Sequence, residues 1–236
     1  MESYAKCIVT GLLAEPENKI FEASDVYNKR FKAIPESSYY KTLERLCRKG
    51  IIVHLTKGLY YRPKKSRFGM VPISEEDIIR HYIGNWNGMV IGYRLYNRKG
   101  LTTQIGKRVE VLSCNISEQT KNIETVCVTN CNVRFSEETV AVIEVLEILQ
   151  NYKKIEDINK GALAVLMKKF ADNYSDETAV YVLQNLKYKK STIAFLRTFL
   201  DYHGVENRLD QFLSVLSSYY IPPMEEFYEA SVCRKK

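Results

Sequence analysis

Ser38, Lys41, Thr42, Arg45, Arg48 and Lys49 follow one another at helical spacing, so on a wheel of 3.6 residues per turn they gather on one side. Tyr39, Leu43, Leu46 and Cys47 gather on the other side. The polar side carries four cations and no carboxylate, with Glu44 on its flank. A solvated helix face ordinarily mixes the two signs, so a one-sign face with hydroxyls among the cations is chemistry for a polyanion. An Arg can reach guanine bidentately in the major groove of duplex DNA, and a hydroxyl can serve a base or a phosphate. Ser38, Lys41, Thr42 and Arg45 are therefore expected to meet bases. Arg48, Lys49, Lys57, Arg62, Lys64 and Lys65 are expected on phosphates, where they set register and salt dependence and carry little sequence information. Tyr40 lies between the two faces and can stack, pack or hydrogen-bond a phosphate; partial burial is the competing reading.

The charge distribution points the same way. Residues 1–69 hold 14 Lys and Arg against 7 Asp and Glu, whereas residues 70–236 hold 21 of each, so the whole formal charge of +7 falls in the first third. Such an asymmetry suits a polyanion-binding module joined to a neutral one, since counterion release supplies the affinity of the first.

Other chemistries find little support. His54, His81 and His203 are far apart and have no partner pattern for metal or triad chemistry. Six cysteines are scattered mostly through apolar runs, as reduced cytosolic thiols are, and no disulfide is expected. Cys127 and Cys131 form one C-x3-C pair with no second pair or histidine beside it, so no metal site is expected. Nucleotide-binding glycine loops, H-E-x-x-H and G-x-S-x-G are all absent from the sequence. The Glu137-Glu138 pair falls in the opening turn of a helix, where acids suit the dipole. The expectation is a protein that is not an enzyme and takes no cofactor.

The elements that would position the basic face can be read around it. Residues 4–13 form an amphipathic pattern ended by Glu15-Pro16, and Ser24 or the residue before it can cap a short second helix. A third helix is expected from Ser37 or Ser38 to Lys49, closed by Gly50. The β-branched run Ile51-Ile52-Val53, the turn Thr56-Lys57-Gly58 and the return Leu59-Tyr60-Tyr61-Arg62 make a hairpin. Three helices followed by a hairpin is the order of a winged helix-turn-helix. Residues 64–69 break the pattern with charge and glycine and read as a linker.

Two domains are thus expected, at 1–69 and 70–236. In the second, Ser74 with Asp77 signals a helix start, strands are expected at 109–113 and 124–128, and the pattern after Ser136 is helical. Helices are expected from Ser136 to about Tyr152 and over 161–173, 176–186, 191–202 and 206–219, with Pro222-Pro223 ending the last and a poorly ordered tail after it. The fold class is α+β: an N-terminal winged helix-turn-helix, a mixed α/β segment and a helix-rich C-terminal region. No run is long and apolar enough for a membrane span and no leader pattern opens the chain, so a soluble, cytoplasmic protein is expected.

The segment Tyr39-Tyr40-Lys41-Thr42-Leu43-Glu44-Arg45-Leu46-Cys47-Arg48-Lys49-Gly50-Ile51-Ile52, with Gly58-Leu59-Tyr60-Tyr61-Arg62-Pro63 after it, resembles the N-terminal winged helix of AbiEi-like antitoxins. These belong to type IV bacterial toxin-antitoxin and abortive-infection systems. Gly92-Tyr93-Arg94-Leu95-Tyr96-Asn97-Arg98-Lys99-Gly100-Leu101-Thr102-Thr103-Gln104 is similar to the Gly-Leu-Thr-x-Gln element that follows in that family. The resemblance covers roughly residues 1–130. It implies an autorepressor that binds inverted operator repeats in double-stranded DNA, as a monomer or weak dimer, and a C-terminal domain that neutralises a nucleotidyltransferase-like toxin directly or indirectly. The alternative is a winged-helix regulator or protein-interaction module without antitoxin activity. The residues themselves favour a structural role for Gly100 to Gln104, with Thr and Gln satisfying backbone groups.

Overall fold

The computed structural model describes residues 3–214 and 217–232, which form a mixed α+β protein. Two compact units divide the chain, Met1–His81 and Tyr82–Lys236.

In the first unit α1 (Tyr4–Leu13) buries Ile8 and Leu12. A Cβ at Gly11 on this helix would lie 2.6 Å from the Phe31 ring, so a larger residue there would force that ring to shift. A short strand β1 (Ile20–Glu22) leads into α2 (Ala23–Val26), which continues as one wide π-turn over Tyr27–Phe31. Next come α3 (Glu36–Arg48), β2 (Val53–Thr56) and β3 (Leu59–Tyr61). The three strands form an antiparallel sheet in the order β1-β3-β2, with Phe21 opposite Tyr60 and Val53 opposite Tyr61.

Gly50 closes α3 at φ +64. Its N–H donates to the Cys47 carbonyl at 2.9 Å, and the N–H of Ile51 donates to the Leu46 carbonyl at 3.0 Å. That pair of bonds satisfies carbonyls the helix end would otherwise leave open, and it needs a left-handed residue at position 50.

Residues 64–69, expected as a linker, instead fall in a two-stranded hairpin of β4 (Lys64–Ser66) and β5 (Gly69–Val71). The helix α4 (Glu75–Ile83) follows, and its start is the one the sequence signals. The Ser74 hydroxyl accepts from the Asp77 N–H at 3.1 Å and donates to the Asp77 carboxylate at 2.7 Å.

The second unit opens with β6 (Gly88–Ile91) and α5 (Gly92–Arg98). Strands β7 (Val109–Ser113), β8 (Thr120–Ile123) and β9 (Val126–Asn130) complete a sheet in the order β6-β7-β9-β8, in which only β7 and β9 run parallel. A helical layer follows: α6 (Glu137–Asn151), α7 (Lys160–Asp172), α8 (Asp176–Asn185), α9 (Lys190–Tyr202) and α10 (Glu225–Val232). Ser136 opens α6 by a reciprocal cap, its hydroxyl accepting from the Thr139 N–H while the Thr139 hydroxyl accepts from the Ser136 N–H. Every residue from Val142 to Leu149 is buried, so α6 is the central helix of this core.

The expected helix over 206–219 is not formed among the described residues; a single 3-10 turn spans Leu209–Phe212, and Leu213 is extended. Side chains of neighbouring helices hold this stretch instead. Asp176 accepts from the Arg208 N–H at 2.8 Å, and Asn207 donates to Asp201 at 3.0 Å, bonds that compete with a helical ladder. Pro222-Pro223 precedes a helix rather than ending one. Phe227 on α10 is fully buried against Phe199, with ring centroids 5.1 Å apart, so the described part of the expected tail belongs to the core. Residues 233–236 lie outside the described residues.

Candidate nucleic-acid interface

The inward side of α3 decides which side faces out. Tyr39 is wholly buried, its hydroxyl donates to the Ala23 carbonyl at 3.1 Å, and its ring lies 5.2 Å from Tyr27 and 5.5 Å from Phe31. Burial pushes its phenol far above the ordinary range, so it stays a neutral donor. With Leu43 and Leu46 buried beneath it, the helix cannot roll without exposing this cluster.

Lys41, Arg45, Arg48 and Lys49 are consequently exposed. Lys41, Arg45 and Lys49 form no ion pair among the described residues. Arg48 does: its guanidinium meets the Glu44 carboxylate at 2.5 Å across one turn, with both groups largely in solvent. Such an exposed pair is weak, roughly 0.3–0.5 kcal/mol, and a phosphate can displace it. Tyr40 is 39% exposed and stands edge-on to Tyr39 at 5.3 Å. Burial, with the Glu36 and Glu22 carboxylates, raises its phenol, which leaves a neutral hydroxyl at the rim of the face.

Two residues expected at the interface are placed elsewhere. Thr42 is 4% exposed and its hydroxyl donates to the Ser38 carbonyl one turn back at 2.7 Å. That back-bond satisfies the hydroxyl inside the helix and lets the methyl join the core, so Thr42 does not present itself to bases. Ser38 itself is half-buried. Arg62 is the second. Its guanidinium pairs with Glu17 at 3.3 Å and donates to the Leu13 carbonyl, tying the end of α1 to the chain just after β3. The Thr42 bond is internal to α3, whereas the Arg62 bonds depend on the Leu13 carbonyl and Glu17 carboxylate that the fold brings up.

The remaining expected cations are on hairpins. Lys57 is exposed at the β2–β3 turn, where Gly58 takes φ +77 and its carbonyl accepts from the Ala23 N–H at 2.9 Å. Lys64 and Lys65 are exposed on β4. Arg67 was missed by the wheel, although it lies in a carboxylate-free stretch between Arg62 and Glu75 that the sequence displays.

No family model matches the chain. No curated protein matches it. Among solved structures the chain is similar to the crystal structure of the RV2827C protein from Mycobacterium tuberculosis, at 14% identity over 94% of this chain and 84% of that one, with a TM-score of 0.44.

The second unit arranges its charges differently. Glu144 on α6 is nearly buried, and its carboxylate takes Arg98 at 3.0 Å and Lys99 at 2.5 Å. One helical turn further on, Glu147 accepts from the Tyr96 hydroxyl at 3.2 Å and the Asn151 amide at 2.7 Å. Burial raises the Glu147 carboxyl above the ordinary range, against the lowering effect of those donors.

The segment from Gly100 to Gln104 is held by the same kind of bond. Gly100 takes φ +69, the Asn97 amide donates to the Gln104 carbonyl at 2.7 Å, and the Gln104 amide donates to Glu156 at 2.9 Å. The Thr102 hydroxyl accepts from the Gln104 N–H at 3.2 Å. Its polar groups satisfy backbone and one another. Each of two histidines has an aromatic neighbour in its own unit: His54 packs against Tyr60 at 4.9 Å, and His203 meets the Tyr228 hydroxyl at 2.5 Å. No described helix is long and apolar enough to cross a membrane.

Proposed function

We infer that the chain is a DNA-binding autorepressor and antitoxin of the AbiEi-like kind, in which residues 1–69 act as a winged helix-turn-helix and residues 70–236 counter a nucleotidyltransferase-like toxin. The observation that carries the reading is the outward face of α3, where Lys41 and Arg45 stand exposed one turn apart without an acidic partner, over a buried Tyr39. In this reading α3 lies in the major groove, with Lys41 and Arg45 on base edges and Ser38 at the rim. Arg48, Lys49, Lys57, Lys64 and Lys65 take phosphates.

The order of three helical segments and an antiparallel sheet β1-β3-β2 supports the winged-helix part. The antitoxin part rests on the resemblance of residues 39–63 and 92–104 to the family. A cytoplasmic location and two copies on inverted repeats belong to the same reading.

A reporter driven by the DNA upstream of the gene, in cells that also express the adjacent gene, separates the two halves. Wild-type chain represses the reporter and protects growth. Lys41→Glu with Arg45→Glu loses repression and keeps protection. Repression retained by the double variant removes the role given to α3, and absence of protection by the wild type removes the antitoxin role.

A further inference from the structure

Between Arg62 and Glu75 the chain has Lys64, Lys65 and Arg67 and no carboxylate. This stretch is the β4–β5 hairpin, and all of β4 is exposed. Phe68 at its turn is 85% exposed and Met70 beside it 55%, in a unit that otherwise buries its phenylalanines. The Arg67 guanidinium lies over the Phe68 ring at 4.7 Å. The two residues therefore form one projecting tip, a flat apolar ring with a cation on its face.

The tip is held in shape. The Ser66 hydroxyl accepts from the Phe68 N–H at 3.1 Å and donates to the Gly69 carbonyl at 3.2 Å. The stem is anchored at both strands. The Lys64 N–H donates to the Asn18 side chain at 3.1 Å, and the Met70 thioether packs over Gly50, where a Cβ would lie 3.4 Å from the sulfur. Because Gly50 closes α3, the arm springs from the end of the helix that carries the basic face.

A water-exposed phenylalanine among cations calls for a partner that is both apolar in depth and negative at its rim. The minor groove of duplex DNA is such a partner. Its negative potential draws in arginine, its base steps accept an apolar wedge, and phosphates line its edges. Its width of roughly 6 Å excludes a helix and admits a two-residue turn. An anionic membrane is a poorer match, since lipid headgroup recognition ordinarily takes about four to eight clustered cations and this arm has three.

We propose that Arg67 and Phe68 enter the minor groove of duplex DNA, Arg67 lying in the groove and Phe68 wedging against a base step, with Lys64 and Lys65 on the flanking phosphates. This rests on the DNA-binding reading of the same unit and adds to it a second groove.

The test uses the full chain and a mixed-sequence duplex containing an A·T tract labelled with 2-aminopurine. Wild type is expected to raise the fluorescence of the unstacked base and to be displaced by netropsin, which occupies the minor groove. Phe68→Ala should abolish the fluorescence rise and weaken binding about tenfold, as loss of one base–aromatic contact does. Phe68→Leu keeps an apolar wedge and should keep most of the rise. A Phe68→Ala protein with unchanged affinity and fluorescence overturns the proposal. So does binding to phosphatidylserine vesicles that Phe68→Ala abolishes while duplex affinity stays the same. Lys41→Glu with Arg45→Glu, run in parallel, tells the two ideas apart. If it destroys duplex binding while Phe68→Ala is silent, only the tip assignment fails; if it leaves binding intact, the reading of α3 fails as well.

Discussion

On α3 the cations Lys41 and Arg45 are exposed and form no ion pair among the described residues, whereas on α6 the carboxylates Glu144 and Glu147 point inward onto Arg98, Lys99, Tyr96 and Asn151. α3 is fixed by one buried apolar face and α6 is buried on every side over Val142–Leu149, so the contrast lies in what the charges meet. Inward carboxylates lock α5 to α6 and set the register of two elements. Removing one such partner is costly, because the other group is left buried and unsatisfied. Outward cations do nothing for the fold that an uncharged residue could not do, and their energy becomes available when a polyanion arrives. α3 thus leaves Lys41 and Arg45 open to solvent, and α6 turns its carboxylates on groups of its own unit.

This contrast can be broken most severely from the core of the second unit. Phe199 is fully buried and contacts the Phe195 and Phe227 rings. Phe199→Ala should cost about 3–5 kcal/mol, a fall in melting temperature of more than about 6 °C, with duplex affinity intact. An equal loss of duplex affinity would show that the two units do not work separately.

The complementary change lies on α3. Lys41→Glu with Arg45→Glu should lower duplex affinity by about 2–4 kcal/mol while shifting thermal stability by less than about 0.5 kcal/mol. A large loss of stability would mean that these cations serve the fold after all.

A smaller effect is expected from Glu147→Gln, which keeps the acceptor for Tyr96 and Asn151 and removes the titration. Because burial raises the carboxyl in the folded chain, the folded state holds its proton more tightly than the unfolded state. The wild type therefore loses stability as pH rises from the unfolded carboxylate value through the raised folded one. The Gln variant should match the wild type at the acid end and exceed it increasingly toward neutral pH in a series of thermal melts. A constant difference across that range would contradict the assignment.

The smallest effect sharpens the placement of one residue. Thr42→Val removes the bond to the Ser38 carbonyl, so it should destabilise by no more than about 1.5 kcal/mol and leave duplex affinity unchanged. A tenfold loss of affinity would put Thr42 back among the base contacts.

Much of the first unit was legible because its signals are local. Apolar spacing marks α1 and α3, Gly50 marks a helix end, and the β-branched run before Lys57-Gly58 marks the β2–β3 hairpin. Strand β1 was not legible, since three residues carry too little pattern and its pairing with β3 joins positions some forty apart in sequence. The β4–β5 hairpin was hidden because Lys-Lys-Ser-Arg has no apolar alternation; its anchors, Asn18 and Gly50, are distant in sequence. In the second unit Ser136 and the apolar stripe announced α6, while residues 206–213 were misread because Asp176 and Asp201 hold them from other helices. The exposure of Lys41, Arg45, Arg48 and Lys49 was legible, and the placement of Thr42 and Arg62 was not. Thr42 and Arg62 look polar and available in sequence, and the fold binds both to its own backbone.

The central claim is that the outward cations of α3 are held for duplex DNA, and a salt titration of duplex binding by the full chain tests it most directly. With Arg48, Lys49, Lys57, Lys64 and Lys65 on phosphates, log K should fall linearly with log salt at a slope of about −4 to −5, and Lys41→Glu with Arg45→Glu should lower the affinity at every salt concentration. Binding that ignores salt, or an unchanged affinity in the double variant, would contradict it.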